Sequence, residues 1–141
     1  MRRANIGMIL AKLATPGVLP ALYHCHGGED RTGIISALLL GIAGVPEATI
    51  AQDYALTGVS QYNWADEDRP NARGPEGYPD DPREVAPGES VEAYVARKTS
   101  PKKMLLTLRH LKERYGGVGG YVRAAGLDGN QLGSLRESIV E

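Results

Sequence analysis

The sequence predicts an α/β fold that is mostly helical and has one clear strand. The apolar run at residues 19–23 is typical of a buried strand, and a glycine-containing loop at 24–33 follows it. The apolar run at 34–40 then indicates a buried helix that begins at the end of the loop. With 141 residues, 42% of them hydrophobic, the chain is expected to form a single domain, 1–141.

Helices are predicted on both sides of this unit. Residues 4–14 have apolar side chains at helical spacing, and Pro16 with Gly17 ends that pattern before the strand. After the buried helix, a turn at 44–46 places Pro46 in the first turn of another helix, which is predicted to run to about Leu56. We expect the first of these helices to cover the strand.

The C-terminal third is predicted to be helical. Ser100 is a helix cap with Pro101 at the first helical position, and Gly116 with Gly117 ends the helix. Two further helices are indicated by a short stretch around Val122 and by a capping box that Asp128 and Gln131 form before Leu135 and Ile139.

Between these halves, residues 60–90 predict a proline-rich, acidic loop or lid. The segment has little periodicity and carries five prolines, at positions 70, 75, 79, 82 and 87. Its aromatic side chains Tyr62, Trp64 and Tyr78 either line the mouth of a site or pin the loop to the body. The sequence leaves both roles open.

The loop at 24–33 has the composition of a phosphate-binding loop. The first turn of a helix has amides without intrahelical partners, and Gly27 and Gly28 allow successive amides to point inward as an anion nest. Arg31 has a planar guanidinium that grips two phosphate oxygens at once. We therefore expect the phosphoryl group to be bound by residues His26, Gly27, Gly28, Glu29 and Arg31.

Cys25 lies at the focus of the same amides. They favour the thiolate over the thiol, so Cys25 is predicted to be a nucleophile that attacks phosphorus and forms a cysteinyl-phosphate. The Thr32 hydroxyl is placed to bond the sulfur as it departs, whereas His24 and Gly33 are expected to orient the loop. Asp30 is the candidate general acid for the leaving group. The neighbouring Glu29 is expected to point into solvent, since a carboxylate weakens anion binding.

Cysteine, five residues, arginine and threonine make up the signature of the protein tyrosine phosphatase superfamily. The string at 24–33 resembles the bacterial and fungal tyrosine and phosphoinositide phosphatases, whose loop usually has lysine where Glu29 stands. Residues 50–56 and 115–121 resemble the same branch. The resemblance implies a phosphatase-like fold, Asp30 as the acid, and a domain whose N-terminal half is missing here. It also implies that Glu29 disfavours lipid substrates more than phosphotyrosine.

The composition of the chain limits the kinds of ligand and partner that we expect it to bind. A net charge of −1 offers no broad basic field for nucleic acid, and no long apolar span predicts a membrane helix. One cysteine excludes an intrachain disulfide and suits the cytoplasm, and we expect neither metal nor cofactor. The expected ligands are a phosphorylated protein or small phosphoester, with phosphate or sulfate in the loop. A homodimer and a catalytically inactive phosphate-binding remnant remain alternatives.

Overall fold

The computed structural model describes residues 2–67 and 85–140, and of residues 64–67 the backbone alone. The described residues form seven helices: α1 (Arg3–Leu13), α2 (Asp30–Ala43), α3 (Glu47–Glu67), α4 (Val91–Lys98), α5 (Pro101–Tyr115), α6 (Val118–Ala124) and α7 (Gly129–Val140). Within these two ranges, no helix is both long enough and apolar enough to cross a bilayer.

The prediction of an α/β fold with a clear strand is wrong for the described residues, which contain helices and no strand or sheet. Residues 19–23 are irregular, and Leu22 is 92% exposed. A strand requires hydrogen bonds to a neighbouring strand, and no second extended segment pairs with this one among the described residues. The prediction failed because an apolar run indicates only that a segment tends to be buried, whereas a strand also needs a neighbouring strand that is distant in the sequence.

Most of the predicted helices are present, and their bounds differ from the prediction by a few residues. α5 begins with Pro101 and ends at a left-handed Gly116, and α7 begins with the predicted capping box, in which Asp128 and Gln131 exchange bonds of 2.8 and 3.1 Å. α3 continues 11 residues beyond Leu56, to Glu67, so it takes up the first part of the predicted lid. Residues 68–84 of that lid lie outside the described residues.

The hydrophobic core has two parts, to both of which α2 and α5 contribute. The first joins α1, α2, α5, α6 and α7 around Leu10, Leu38, Val122 and Leu135, all at most 1% exposed. The second joins α2, α3 and α5 around residues such as Ile50 and Met104. Because α2 contributes to both parts, its N-terminal end has a fixed position relative to the rest of the helices.

Candidate active site

The loop at 24–29 connects the irregular segment to the first turn of α2. The Tyr23 hydroxyl lies 2.9 Å from that of Ser36, which ties the entrance of the loop to α2. Gly28 has a φ of +70°, a conformation that side-chain-bearing residues rarely adopt. The Gly33 amide then donates to the Glu29 carbonyl at 2.9 Å, the first bond of the helix. The amides of Arg31 and Thr32 therefore precede the regular helical bonding and are free to face a ligand.

Cys25 is partly buried where these amides converge. Burial by itself would raise the pKa of the thiol. The Thr32 hydroxyl and the amides of Thr32, Gly28 and Arg31 favour the thiolate strongly enough to outweigh burial, so the pKa falls from its ordinary 9.0 to about 7. A substantial fraction of the Cys25 side chains is thus thiolate at neutral pH.

The Thr32 hydroxyl is buried and has no hydrogen-bond partner within the described part of the chain. It is nevertheless near enough to the sulfur to lower the pKa of Cys25. A thiol is a weak hydrogen-bond acceptor and a thiolate is a strong one. The unpaired hydroxyl and its effect on the pKa of Cys25 therefore both fit a hydroxyl that donates to the sulfur once the sulfur is charged.

The two carboxyl groups of the loop lie in different surroundings. Asp30 is exposed in the first turn of α2, beside the exposed Arg31. Glu29 is partly buried, so the expectation that it points into solvent is met only in part. Burial and then the charge of Asp30 raise the pKa of the Glu29 carboxyl, against the opposing charges of Lys98 and Lys103. A basic pair from the α4–α5 region therefore faces the position where the family loop has lysine.

Tyr54 of α3 lies behind the first turn of α2. A Cβ added to Gly33 would come within 2.9 Å of the Tyr54 ring, so glycine allows the two helices to approach closely. Burial, followed by the charges of Glu29 and Asp30, raises the pKa of Tyr54 to about 12. Tyr54 belongs to the segment at 50–56 and stays a neutral phenol near both carboxyl groups.

Sequence reasoning missed Gln61, a buried residue of α3 that contacts the loop. Its Nε2 donates to the Gly27 carbonyl at 2.6 Å. Tyr94 of α4 donates its hydroxyl to Gln61 Oε1 at 3.4 Å. A glutamine in a helix outside the motif carries no local signal of such a role, so the sequence alone offered no way to find it.

The loop histidines are both exposed. His24 Nδ1 lies 3.1 Å from the carbonyl of Cys25, a local contact consistent with the predicted loop-orienting role, which it does not test. Across the described ranges, no three histidine, cysteine, aspartate or glutamate side chains are grouped so as to hold a metal ion.

A cavity of about 360 Å³ lies beside the loop. Asp30 and Arg31 form part of its wall, and most of the remaining wall is apolar or aromatic, with residues such as Ile34, Leu111 and Tyr121. Its size and lining fall in the range of small-molecule sites.

Comparison with known proteins finds the same family that the loop sequence resembles. The chain is 33% identical over 118 residues to a tyrosine-protein phosphatase of Nostoc commune, a match that covers 82% of this chain and 37% of that relative. The chain thus spans little more than a third of the relative's length. No solved structure gives a significant match. The model of the tyrosine phosphatase family matches residues 1–141, and on these grounds the chain belongs to the tyrosine phosphatase family.

Proposed function

We propose that this chain carries the catalytic loop of a cysteine-dependent phosphatase that hydrolyses phosphotyrosine-type monoesters. The observation that carries the proposal is the convergence of three loop amides and the Thr32 hydroxyl on Cys25, with a thiol pKa of about 7. The same amides are the donors that a phosphoryl group needs, so nucleophile and anion site coincide.

The proposed reaction has two steps. The Cys25 thiolate attacks phosphorus, the bond from phosphorus to the leaving oxygen breaks, and Asp30 gives its proton to that oxygen. Water then attacks the cysteinyl-phosphate, Asp30 takes the proton from the water, and the sulfur departs as thiolate, which the Thr32 hydroxyl stabilises. Arg31 holds the equatorial oxygens in both steps. Because Asp30 and Arg31 are exposed at the loop, both are accessible to a substrate.

The wall of the cavity supports an aromatic leaving group. Asp30 and Arg31 line this cavity together with Ile34, Leu38 and Tyr121, whereas Cys25 does not line it, so we propose that the ring of a phenol occupies this space with its oxygen at the edge nearest Asp30. The partly buried Glu29 disfavours a second acidic group near the loop, which is the opposite of what a phosphoinositide needs.

We also propose that the protein works in the cytoplasm and that it forms a homodimer. A thiol with a pKa of about 7 is kept in its working form by a reducing cytoplasm. A second copy of the chain is the partner that we propose to look for by light scattering, beside the phosphorylated protein or small phosphoester that is the substrate.

The test is an assay of the purified chain against 4-nitrophenyl phosphate and a phosphotyrosine peptide, with Cys25→Ser as the control. Turnover that Cys25→Ser abolishes is the expected result. Folded protein that binds inorganic phosphate but shows no turnover would favour the phosphate-binding remnant. Turnover that survives in Cys25→Ser would contradict the cysteine mechanism.

A further inference from the structure

Gln61 is a buried polar residue that reaches the catalytic loop from another helix. It is 8% exposed, and its Nε2 lies 2.6 Å from the Gly27 carbonyl, 34 residues earlier in the chain. Burying a side-chain amide costs free energy unless its N–H and C=O groups form hydrogen bonds. The bond to the Gly27 carbonyl therefore offsets part of the cost of burying Gln61.

The orientation of the Gln61 amide follows from its two partners. A carbonyl only accepts, so the group that faces Gly27 has to be the amide nitrogen. The oxygen then faces the Tyr94 hydroxyl, which donates to it at 3.4 Å. Tyr94 is fully buried, so the contact that holds the far end of Gln61 is itself held by the packing of α4 against α3.

The Gly27 carbonyl and the Gly28 amide belong to the same planar peptide group. In a trans peptide these two groups point in opposite directions, so fixing the carbonyl towards Gln61 aims the N–H the other way. That N–H is one of the donors to the Cys25 sulfur. The peptide lies between two glycines, and Gly28 has a φ of +70°, so side chains of the loop offer little resistance to its rotation.

We infer that Gln61 is a positioning residue that locks the Gly27–Gly28 peptide so that its N–H faces the nucleophile and the bound phosphoryl group. Gln61 touches neither the sulfur nor the substrate, and it acts through the loop. The inference rests on the proposed function for the role of the phosphoryl group, whereas the orientation of the amide towards Cys25 is independent of turnover.

The test compares Gln61→Met and Gln61→Glu with Gln52→Met, an exposed glutamine of the same helix. Methionine keeps the length of the side chain and removes the donor, whereas glutamate keeps the acceptor for Tyr94 and repels the carbonyl. For each folded variant, the pKa of Cys25 is taken from the rate of iodoacetamide alkylation against pH. The affinity for inorganic phosphate is measured by calorimetry, and stability by thermal melting.

Both Gln61 variants are expected to raise the pKa of Cys25 by about one unit, which slows alkylation at pH 7 about fivefold. Phosphate affinity should fall with it, and Gln52→Met should leave both unchanged. A Gln61 variant that melts earlier but keeps the parent pKa and phosphate affinity would show a purely structural role and overturn the inference.

The experiments distinguish a failure of the positioning role of Gln61 from a failure of the phosphatase proposal. If the Gln61 variants raise the thiol pKa while the parent chain turns over no phosphoester, the positioning role stands and the phosphatase proposal fails. If the parent is active and Gln61→Met has the parent pKa, phosphate affinity, KM and kcat, only the positioning role fails. Should Gln61→Met not fold, Gln61→Leu, which also removes the donor and adds no charge, decides the question.

Discussion

Asp30 and Glu29 are adjacent carboxylic acids with different exposure. Asp30 is exposed and borders the cavity, while Glu29 is partly buried with Lys98 and Lys103 acting on it. A proton donor has to reach the leaving oxygen, and an exposed side chain at the start of α2 has that freedom. This contrast supports the proposal that Asp30, and not Glu29, is the general acid.

Asp30→Asn is expected to lower kcat about 10²- to 10⁴-fold on an alkyl phosphate, because an alkoxide is a poor leaving group without a proton. The loss on 4-nitrophenyl phosphate should be far smaller, because nitrophenolate leaves without protonation. The measurement is kcat for both substrates, with Asp53→Asn, an exposed aspartate of α3, as the control. An undiminished kcat on the alkyl phosphate would remove Asp30 from the role of acid.

Glu29→Gln is expected to increase kcat/KM on a phosphoinositide about fivefold, because it removes a negative charge beside the anion site that offsets the positive charges of Lys98 and Lys103. Glu29→Lys, which restores the family residue, should increase it further. Rates on vesicles are compared at low and high salt, since added salt screens the effect. If neither variant exceeds the parent, the charge at position 29 does not set substrate preference.

Among the helices, the contact between α2 and α3 controls the geometry of the loop. Gly33 and Tyr54 meet in a close approach of the two helices, and Gln61 reaches the loop about two turns further along α3. Displacing α3 would therefore move the loop contact as well as the core.

Gly33→Ala should decrease the free energy of unfolding by about 1–3 kcal/mol, because the new methyl group would meet the Tyr54 ring at 2.9 Å. It should also reduce phosphate affinity, since α3 carries Gln61. Gly133→Ala in α7 is the control, because it meets nothing within 4 Å, and alanine there should stabilise by about 0.5–1 kcal/mol. Urea unfolding measures the stability of both variants. Equal stability of Gly33→Ala and Gly133→Ala would count against a tight α2–α3 contact.

The helices were predictable from the sequence where the signal is local. Proline at position 101, glycine at 116 and the pair Asp128 and Gln131 act within a few residues, and the structure has helix ends at these places. The strand prediction failed because pairing is not local. α4 was missed although Ser90 caps its start and accepts from the Ala93 amide at 3.3 Å, a local signal that the sequence analysis did not use. Gln61 was missed because its role depends on a tertiary contact, which leaves no motif signal in its own segment.

For the molecule as a whole, α2 is one of two helices, with α5, that contribute to both core clusters. Leu38 is 1% exposed in the first cluster, and Ala37 next to it belongs to the second. Damage to the middle of α2 should therefore weaken the whole helical body and not one end of it.

Leu38→Ala is expected to decrease the free energy of unfolding by about 2–5 kcal/mol, since the cavity left behind adds to the lost burial. Leu106→Ala, at a leucine of α5 that is 51% exposed, should change it by less than about 0.5 kcal/mol. Chemical unfolding followed by circular dichroism measures the difference. A cost at Leu38 no larger than that at Leu106 would mean that α2 is not central to the core.

The lowered thiol pKa of Cys25 has a further consequence for its redox chemistry. Peroxides react with thiolates, so the arrangement that makes Cys25 a nucleophile also directs hydrogen peroxide to it and yields a sulfenic acid. These 141 residues contain no second cysteine to trap that product as an internal disulfide. An external thiol such as glutathione can reduce the sulfenic acid, whereas further peroxide oxidises it to the irreversible sulfinic acid.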